Sequence, residues 1–156
     1  MKKINKKGFT LIELLAVIVI LGVLLAVAVP AVTKYITSSK KSGYIDNMKY
    51  FMDSARSEVL DGEYNAPVST NEATVIYFDH LQPKLEKGGK TSSYGAAYDM
   101  SNSFVVIVNE GTAEKPDQKY YVAARDVSGY GIGVVTSSAT TAKIIQYDEL
   151  KNENVV

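Results

Sequence analysis

The 156 residues carry 17 basic and 17 acidic side chains, one histidine and no cysteine. Disulfides, thiol chemistry and cysteine-ligated metals are therefore excluded, and the balanced charge offers no general nucleic-acid surface. The balance hides an asymmetry: four of the 17 basic residues (Lys2, Lys3, Lys6, Lys7) precede Phe9, which leaves 13 against 17 acidic residues.

Taken in chain order, the first element is an apolar run. From Leu14 to Val29 no side chain is charged or strongly polar, and Ala31 and Val32 extend the run past Pro30. With Phe9 to Ile12 it is long enough for a hydrocarbon core of about 30 Å, which takes about 20 helical residues. The lysines in front place the N-terminal side in the cytoplasm and send the remainder across. Glu13 breaks the pattern. An ionised carboxylate within such a span costs roughly 2.5 to 3.5 kcal/mol on insertion scales.

A plain single-pass anchor explains the length and the lysines but not Glu13. A secretory signal cut after the small residues "AVA" (Ala26 to Ala28) is a second reading. Against it, the apolar run exceeds the usual length of about 7 to 15 residues, and Pro30 stands two places beyond the cut.

The stretch "KKGFTLIELL" supports a third reading, because it resembles the class III leader of type IV prepilins over about residues 6–32. The resemblance implies that residues 1–8 are a leader removed by a prepilin peptidase between Gly8 and Phe9. It also implies that the new amine of Phe9 is N-methylated. Independently, a cationic amine on Phe9 would lie about one helical turn from Glu13 along the axis. In a staggered bundle, the amine of one chain meets Glu13 of a neighbour only at the correct axial step. Pairing two charges that are each costly in hydrocarbon sets register, as a buried Asn does in coiled coils. Gly22 weakens the turns before it, and Pro30 cannot donate to the carbonyl of Ala26. Both positions match the family's, which implies a segment able to extend when the helix leaves lipid.

Beyond the span, Tyr44, Met48, Phe51 or Met52, Ala55 and Val59 form one apolar stripe at spacings of three and four. Lys41, Asp46, Asn47, Lys49, Asp53 and Arg56 occupy the opposite positions. Gly62 closes the helix as a C-cap, and the small residues from Thr37 to Gly43 are a place for a bend. The expected division is leader 1–8, membrane and assembly half 9–36, amphipathic half 37–62 and a β-sheet head 63–156. About 95 residues past the helix suffice for a small core held by packing alone.

In the head, "SFVVIVNE" (103–110) and "KYYVAAR" (119–125) read as strands joined by the hairpin loop "GTAEKPDQ". "GYGIGVV" (129–135) and "AKIIQYDEL" (142–150) read as further strands, the last of uncertain type. "TVIYFDHL" (74–81) fits strand or short helix, and "KGGKTSSYG" (87–95) reads as a solvated loop. The fold class is α+β: a long N-terminal helix, spanning in its first half and amphipathic in its second, on a small antiparallel sheet. That is also the architecture the resemblance implies. Cysteine-free pilins point to a Gram-positive type.

No enzyme is expected. "GGKTS" lacks the first P-loop glycine, since position 84 is Lys84, and "GYGIG" lacks dinucleotide spacing. His80 is the single histidine and no G-x-S-x-G elbow occurs. Asp126, Asp117 and Glu114 read as solvated loop acids. Neither cofactor nor metal is expected.

The resemblance implies a structural subunit of a type IV pilus for adhesion or surface motility. It is stored as a single-pass protein of the cytoplasmic membrane and polymerised into an extracellular fibre. Its implied partners are copies of itself, the prepilin peptidase, membrane lipid before assembly, and indirectly the assembly platform protein and ATPase. Nucleic acid is not expected. The alternative is a minor pilin or pseudopilin of a secretion or DNA-uptake system, acting as a binding or tip component.

Overall fold

The structure, a computed structural model, describes residues 8–70, 72–85, 89–133 and 144–156. The chain divides into two compact units, Met1–Ser38 and Ser39–Val156. A single helix, α1 (Leu11–Leu60), supplies most of the first unit and the opening of the second. The small residues from Thr37 to Gly43 lie inside its helical range.

In the first unit the apolar run is helical because a helix satisfies its own backbone groups within one segment. Its large side chains point outward: Leu14 is 63% exposed and Leu24 60%. In the second unit the spacing of the apolar stripe decides what is buried. Tyr44, Ile45, Met48, Phe51, Met52 and Ala55 are buried, with Val59 partly buried against the same core. Gly62, at φ 82°, ends the helix. The Glu63 N–H donates to the Glu58 carbonyl (3.0 Å) and the Gly62 N–H to that of Val59 (3.2 Å). This six-to-one and five-to-two pair needs a left-handed residue at position 62, which glycine adopts without a Cβ penalty.

Three strands form the body of the sheet: β1 (Ala73–Tyr77), β2 (Phe104–Asn109) and β3 (Gln118–Arg125). They are antiparallel in the order β1-β2-β3, with Ile76 opposite Val105, Val105 opposite Val122, and Ile107 opposite Tyr120. Alternation sends Ile76, Val105, Ile107, Tyr120, Val122 and Ala124 into the core with the helix stripe. Phe51 lies flat on Phe78, ring centroids 3.7 Å apart, and Tyr98 meets both edge-on. Burying each such side chain contributes about 1.5 to 3 kcal/mol.

The far edge of β3 is shared by two short strands. β4 (Gly131–Ile132) pairs at Ala124 and Arg125, and β5 (Ile145–Gln146) pairs at Tyr121 and Val122. These are shorter than the patterns suggested. The "TVIYFDHL" stretch is both options at once, strand to Tyr77 and then a 3₁₀ turn over Phe78–His80. After β5 the chain turns into a 3₁₀ helix at Tyr147–Glu149. Val134, Val135 and Ala142, included in the sequence reading of these strands, lie outside the described residues.

The last residues are tied down without a disulfide. Val155 is fully buried and bridges Ile132, and the backbones of Gly131 and Val156 exchange two hydrogen bonds (2.9 and 3.0 Å). The Lys41 ammonium donates to the Val155 carbonyl at 2.7 Å, and Ser42 and Asn152 are hydrogen-bonded beside it. Core packing and these contacts supply the anchorage that a cystine would otherwise give.

Candidate functional site

Gly8, Phe9 and Thr10 precede the helix in an open segment. Phe9 is 92% exposed, and a Cβ added at Gly8 would meet nothing within 4 Å. The peptide bond between Gly8 and Phe9 is thus uncrowded by the other described residues. Residues 1–7, with Lys2, Lys3, Lys6 and Lys7, lie outside the described residues.

Glu13 occupies the first turn of α1, and its partner within the chain is Thr10. Glu13 Oε2 accepts from the Thr10 backbone N–H and from Thr10 Oγ1, both at 2.8 Å. In return the Glu13 N–H donates to Thr10 Oγ1 at 3.3 Å. This is a complete capping box: Thr10 stands at the N-cap and Glu13 three residues on. It satisfies donors that the first turn leaves without intrahelical partners and sets the carboxylate at the positive end of the helix dipole. Sequence reasoning passed over Thr10, although "TLIE" ahead of an apolar run carries the signal. Glu13 Oε1 has no partner among the described residues. Among the described residues the carboxylate is therefore anchored through one oxygen only. The hydrogen bonds of the Glu13 side chain to described residues go to Thr10 and none to Phe9 of the same chain.

Gly22 and Pro30 both lie inside α1. A Cβ added at Gly22, as at Gly8, would meet nothing within 4 Å. Around Pro30 the structure adds two residues that the sequence reading missed. Thr33 Oγ1 donates to the Val29 carbonyl at 2.9 Å, and Thr37 Oγ1 to the Thr33 carbonyl at 3.0 Å. Such back-bonds slightly destabilise and often bend helices. They follow directly on the turn where proline has already removed a donor.

Two readings from the head need correction. Asp126 is not a solvated acid: it is 2% exposed. Its carboxylate accepts from Ser92 Oγ (2.6 Å) and from the N–H groups of Ser128 (2.9 Å) and Tyr130 (3.1 Å). Burial without loss of hydrogen bonds is what a charge tolerates, and here it shapes the turn between β3 and β4. The described part of "KGGKTSSYG" is solvated only in part: Lys90, Thr91 and Gly95 are exposed, whereas Gly89 and Ser92 are buried. Gly89 (φ 68°) is buried; a Cβ there would meet Pro83 Cγ at 2.6 Å and Phe51 Cζ at 3.0 Å. Ser93 Oγ donates to the Lys40 carbonyl at 2.6 Å, and Ser93 Cβ lies 3.2 Å from where a Gly43 Cβ would be. Small residues on both sides let this segment close on the helix. Lys87 and Gly88 lie outside the described residues.

Asp117 and Glu114 remain on the surface, with Asp117 paired to Lys119 at 3.1 Å. His80 is exposed beside Asp79. Among the described residues no three His, Cys, Asp or Glu side chains are grouped to hold a metal ion.

Within α1 lies a stretch apolar and long enough to cross a membrane, and none of that stretch is buried. A family model described as the prokaryotic N-terminal methylation motif matches residues 3–29. A fimbrial protein of Pseudomonas aeruginosa is 34% identical, the match covering 68% of this chain and 69% of the relative. The type IV major alpha-pilin of Moraxella bovis is also 34% identical, over 70% of this chain and 62% of its own length. A ComG operon protein 3 homolog of Bacillus licheniformis is 49% identical, but over 25% of this chain and 40% of its own. No solved structure matches with significance. A helix apolar on every side in its first half, a methylation motif at its start and a pilin likeness extending into the head converge: the chain belongs to the type IV pilin family, the structural subunits of type IV pili.

Proposed function

We propose that this chain is a bulk subunit of its pilus, cut between Gly8 and Phe9 by a prepilin peptidase, methylated on the Phe9 amine and polymerised through α1. The observation that carries the proposal is the disposition of Glu13. Thr10 holds one carboxylate oxygen and no other described residue binds the second, at the head of an apolar helix whose spanning stretch is unburied among the described residues. An incoming copy brings the cationic amine of Phe9, and the second oxygen accepts it. The capping box keeps the acceptor in one orientation, so the pairing fixes the axial step. Gly22, Pro30 and the threonine back-bonds at Thr33 and Thr37 give the helix a softened stretch for leaving lipid.

Before assembly the chain sits in the cytoplasmic membrane with its lysine-rich end inside; afterwards the head lies on the extracellular fibre. A platform protein and an ATPase drive the transfer indirectly. N-terminal mass spectrometry of sheared surface fibres tests the proposal. A methylated Phe9 is expected, while Met1 or Val29 at the terminus contradicts it. A minor or DNA-uptake role is favoured by one observation, the strong but short match to the ComG homolog. Subunit counts per fibre separate the two readings: a bulk subunit dominates the fibre, whereas a minor one is present in few copies.

A further inference from the structure

The head has no cysteine, yet two side chains from separate segments meet face to face. Tyr94, in the segment that closes on the helix, and Tyr130, in the turn after β3, have ring centroids 3.8 Å apart and planes 8° from parallel. Aromatic pairs ordinarily sit about 4.5 to 7 Å apart, offset or edge-on, so this approach is close. Tyr130 is 42% exposed. Tyr94 Oη is buried without a hydrogen-bond partner among the described residues, so that hydroxyl does nothing for the fold. The chain lacks both tryptophan and cysteine, Met48 and Met52 are buried, and Met100 is half-buried, its thioether a poorer one-electron donor than a phenol. One-electron oxidation at the head surface therefore falls on tyrosine.

We propose that Tyr94 and Tyr130 form a site of oxidative cross-linking, joined through ring carbons ortho to their hydroxyls by a haem peroxidase acting with hydrogen peroxide. Each phenol gives up one electron and one proton. The exposed Tyr130 reacts first, because the Lys40 ammonium, 5.6 Å from the Tyr94 centroid, opposes positive charge on Tyr94. The two radicals couple by a carbon–carbon bond formed from the π faces, the direction in which the stacked rings already meet. The hydrogens on the two bonded carbons then move to the phenolic oxygens and restore both hydroxyls. Peroxide takes up the two electrons and two protons and becomes two waters, so the chain loses two hydrogen atoms. The link would tie the 89–98 segment to the β3–β4 turn, beside the Ser92–Asp126 hydrogen bond, as a covalent staple in a cysteine-free head. Encounter with such an oxidant outside the cell rests on the surface placement proposed above; the coupling itself rests on the head alone.

The test is treatment of the dilute, detergent-solubilised full chain with a haem peroxidase and hydrogen peroxide, followed by dityrosine fluorescence and peptide mapping. The expected product is a monomer lighter by two hydrogens with Tyr94 and Tyr130 joined. Tyr130→Phe and Tyr94→Phe should reduce that product to background while leaving thermal unfolding unchanged, since phenylalanine keeps the ring. Tyr35→Phe should leave it intact, although Tyr35 is 76% exposed and would dominate if accessibility alone governed coupling. No intramolecular product, coupling only between chains through Tyr35, or an undiminished yield in Tyr130→Phe would each overturn the proposal. None of these outcomes bears on the N-terminal mass measured on fibres, so failure here is distinct from failure of the pilus reading.

Discussion

Leu24 and Met48 lie in the same helix, yet Leu24 is 60% exposed and Met48 is fully buried. The difference lies in how the apolar residues are spaced. Around Met48 they recur at three and four and cover one face, which a five-stranded sheet can match. Around Leu24 they occupy every face, and no single sheet can cover a cylinder. The first half of α1 must therefore find its apolar surroundings outside its own chain, in lipid or among other helices, whereas the head closes on itself. A polar group means something different in each. In the head, Asp126 and Asn109 are buried with their hydrogen bonds complete. At the start of the helix, Glu13 has one oxygen without a partner among the described residues.

Substitutions that strike one region and spare the other sharpen this contrast. Phe51→Ala should show the largest effect, lowering head stability by about 3 to 5 kcal/mol, because it removes the ring stacked on Phe78 and touched by Tyr98. Leu24→Ala should leave thermal unfolding of the solubilised chain unchanged and act only on membrane retention and assembly. Equal losses from the two would break the comparison. Gly89→Ala comes next: a positive φ and a 2.6 Å approach to Pro83 predict about 1 to 3 kcal/mol of destabilisation, read as a lower melting temperature. Lys41→Met removes the donor to Val155 and should cost about 1 to 3 kcal/mol. Amide exchange should accelerate first at Gly131 and Val156, whose paired hydrogen bonds adjoin that contact.

The smallest effect concerns pH. Burial pushes the Asp99 carboxyl up, but hydrogen bonds from Asn102 and the Arg125 guanidinium outweigh it and hold it below the usual carboxylate range. A carboxyl depressed in the folded state stabilises above its unfolded pKa, and that contribution is lost as pH falls through the folded value. Asp99→Asn should therefore flatten part of the acid limb of the stability curve. For a partly exposed pair the change is about 0 to 1 kcal/mol, seen by comparing unfolding midpoints near neutrality and in acid.

Long periodic patterns were legible in the sequence. The stripe from Tyr44 to Val59 and the β2–β3 hairpin carry periods that survive folding, and the run from Leu14 to Val32 is legible from its length and unbroken apolarity, because each is set by local sequence. Asp126 and Gly89 were misread because their burial depends on segments far along the chain: Ser92 reaches Asp126, and Phe51 meets Gly89. Polar loop composition cannot reveal such distant covers. β4 and β5 are short because β3 divides its edge between them, a competition invisible to either pattern alone. At the candidate site, Gly8, Phe9 and Glu13 were singled out through the resemblance of "KKGFTLIELL" to prepilin leaders, and the matching family model spans all three. Thr10 was overlooked because a lone threonine between Phe9 and Leu11 reads as filler until its cap geometry is seen.

The central claim is that Glu13 serves assembly rather than insertion, and Glu13→Ala tests it most directly. The measurement is a count of surface fibres on cells making the variant, alongside the N-terminus of the chain recovered from the membrane fraction. The account predicts a membrane-held chain that begins at Phe9 and forms few or no fibres. Normal fibre numbers from the Glu13→Ala chain would contradict it.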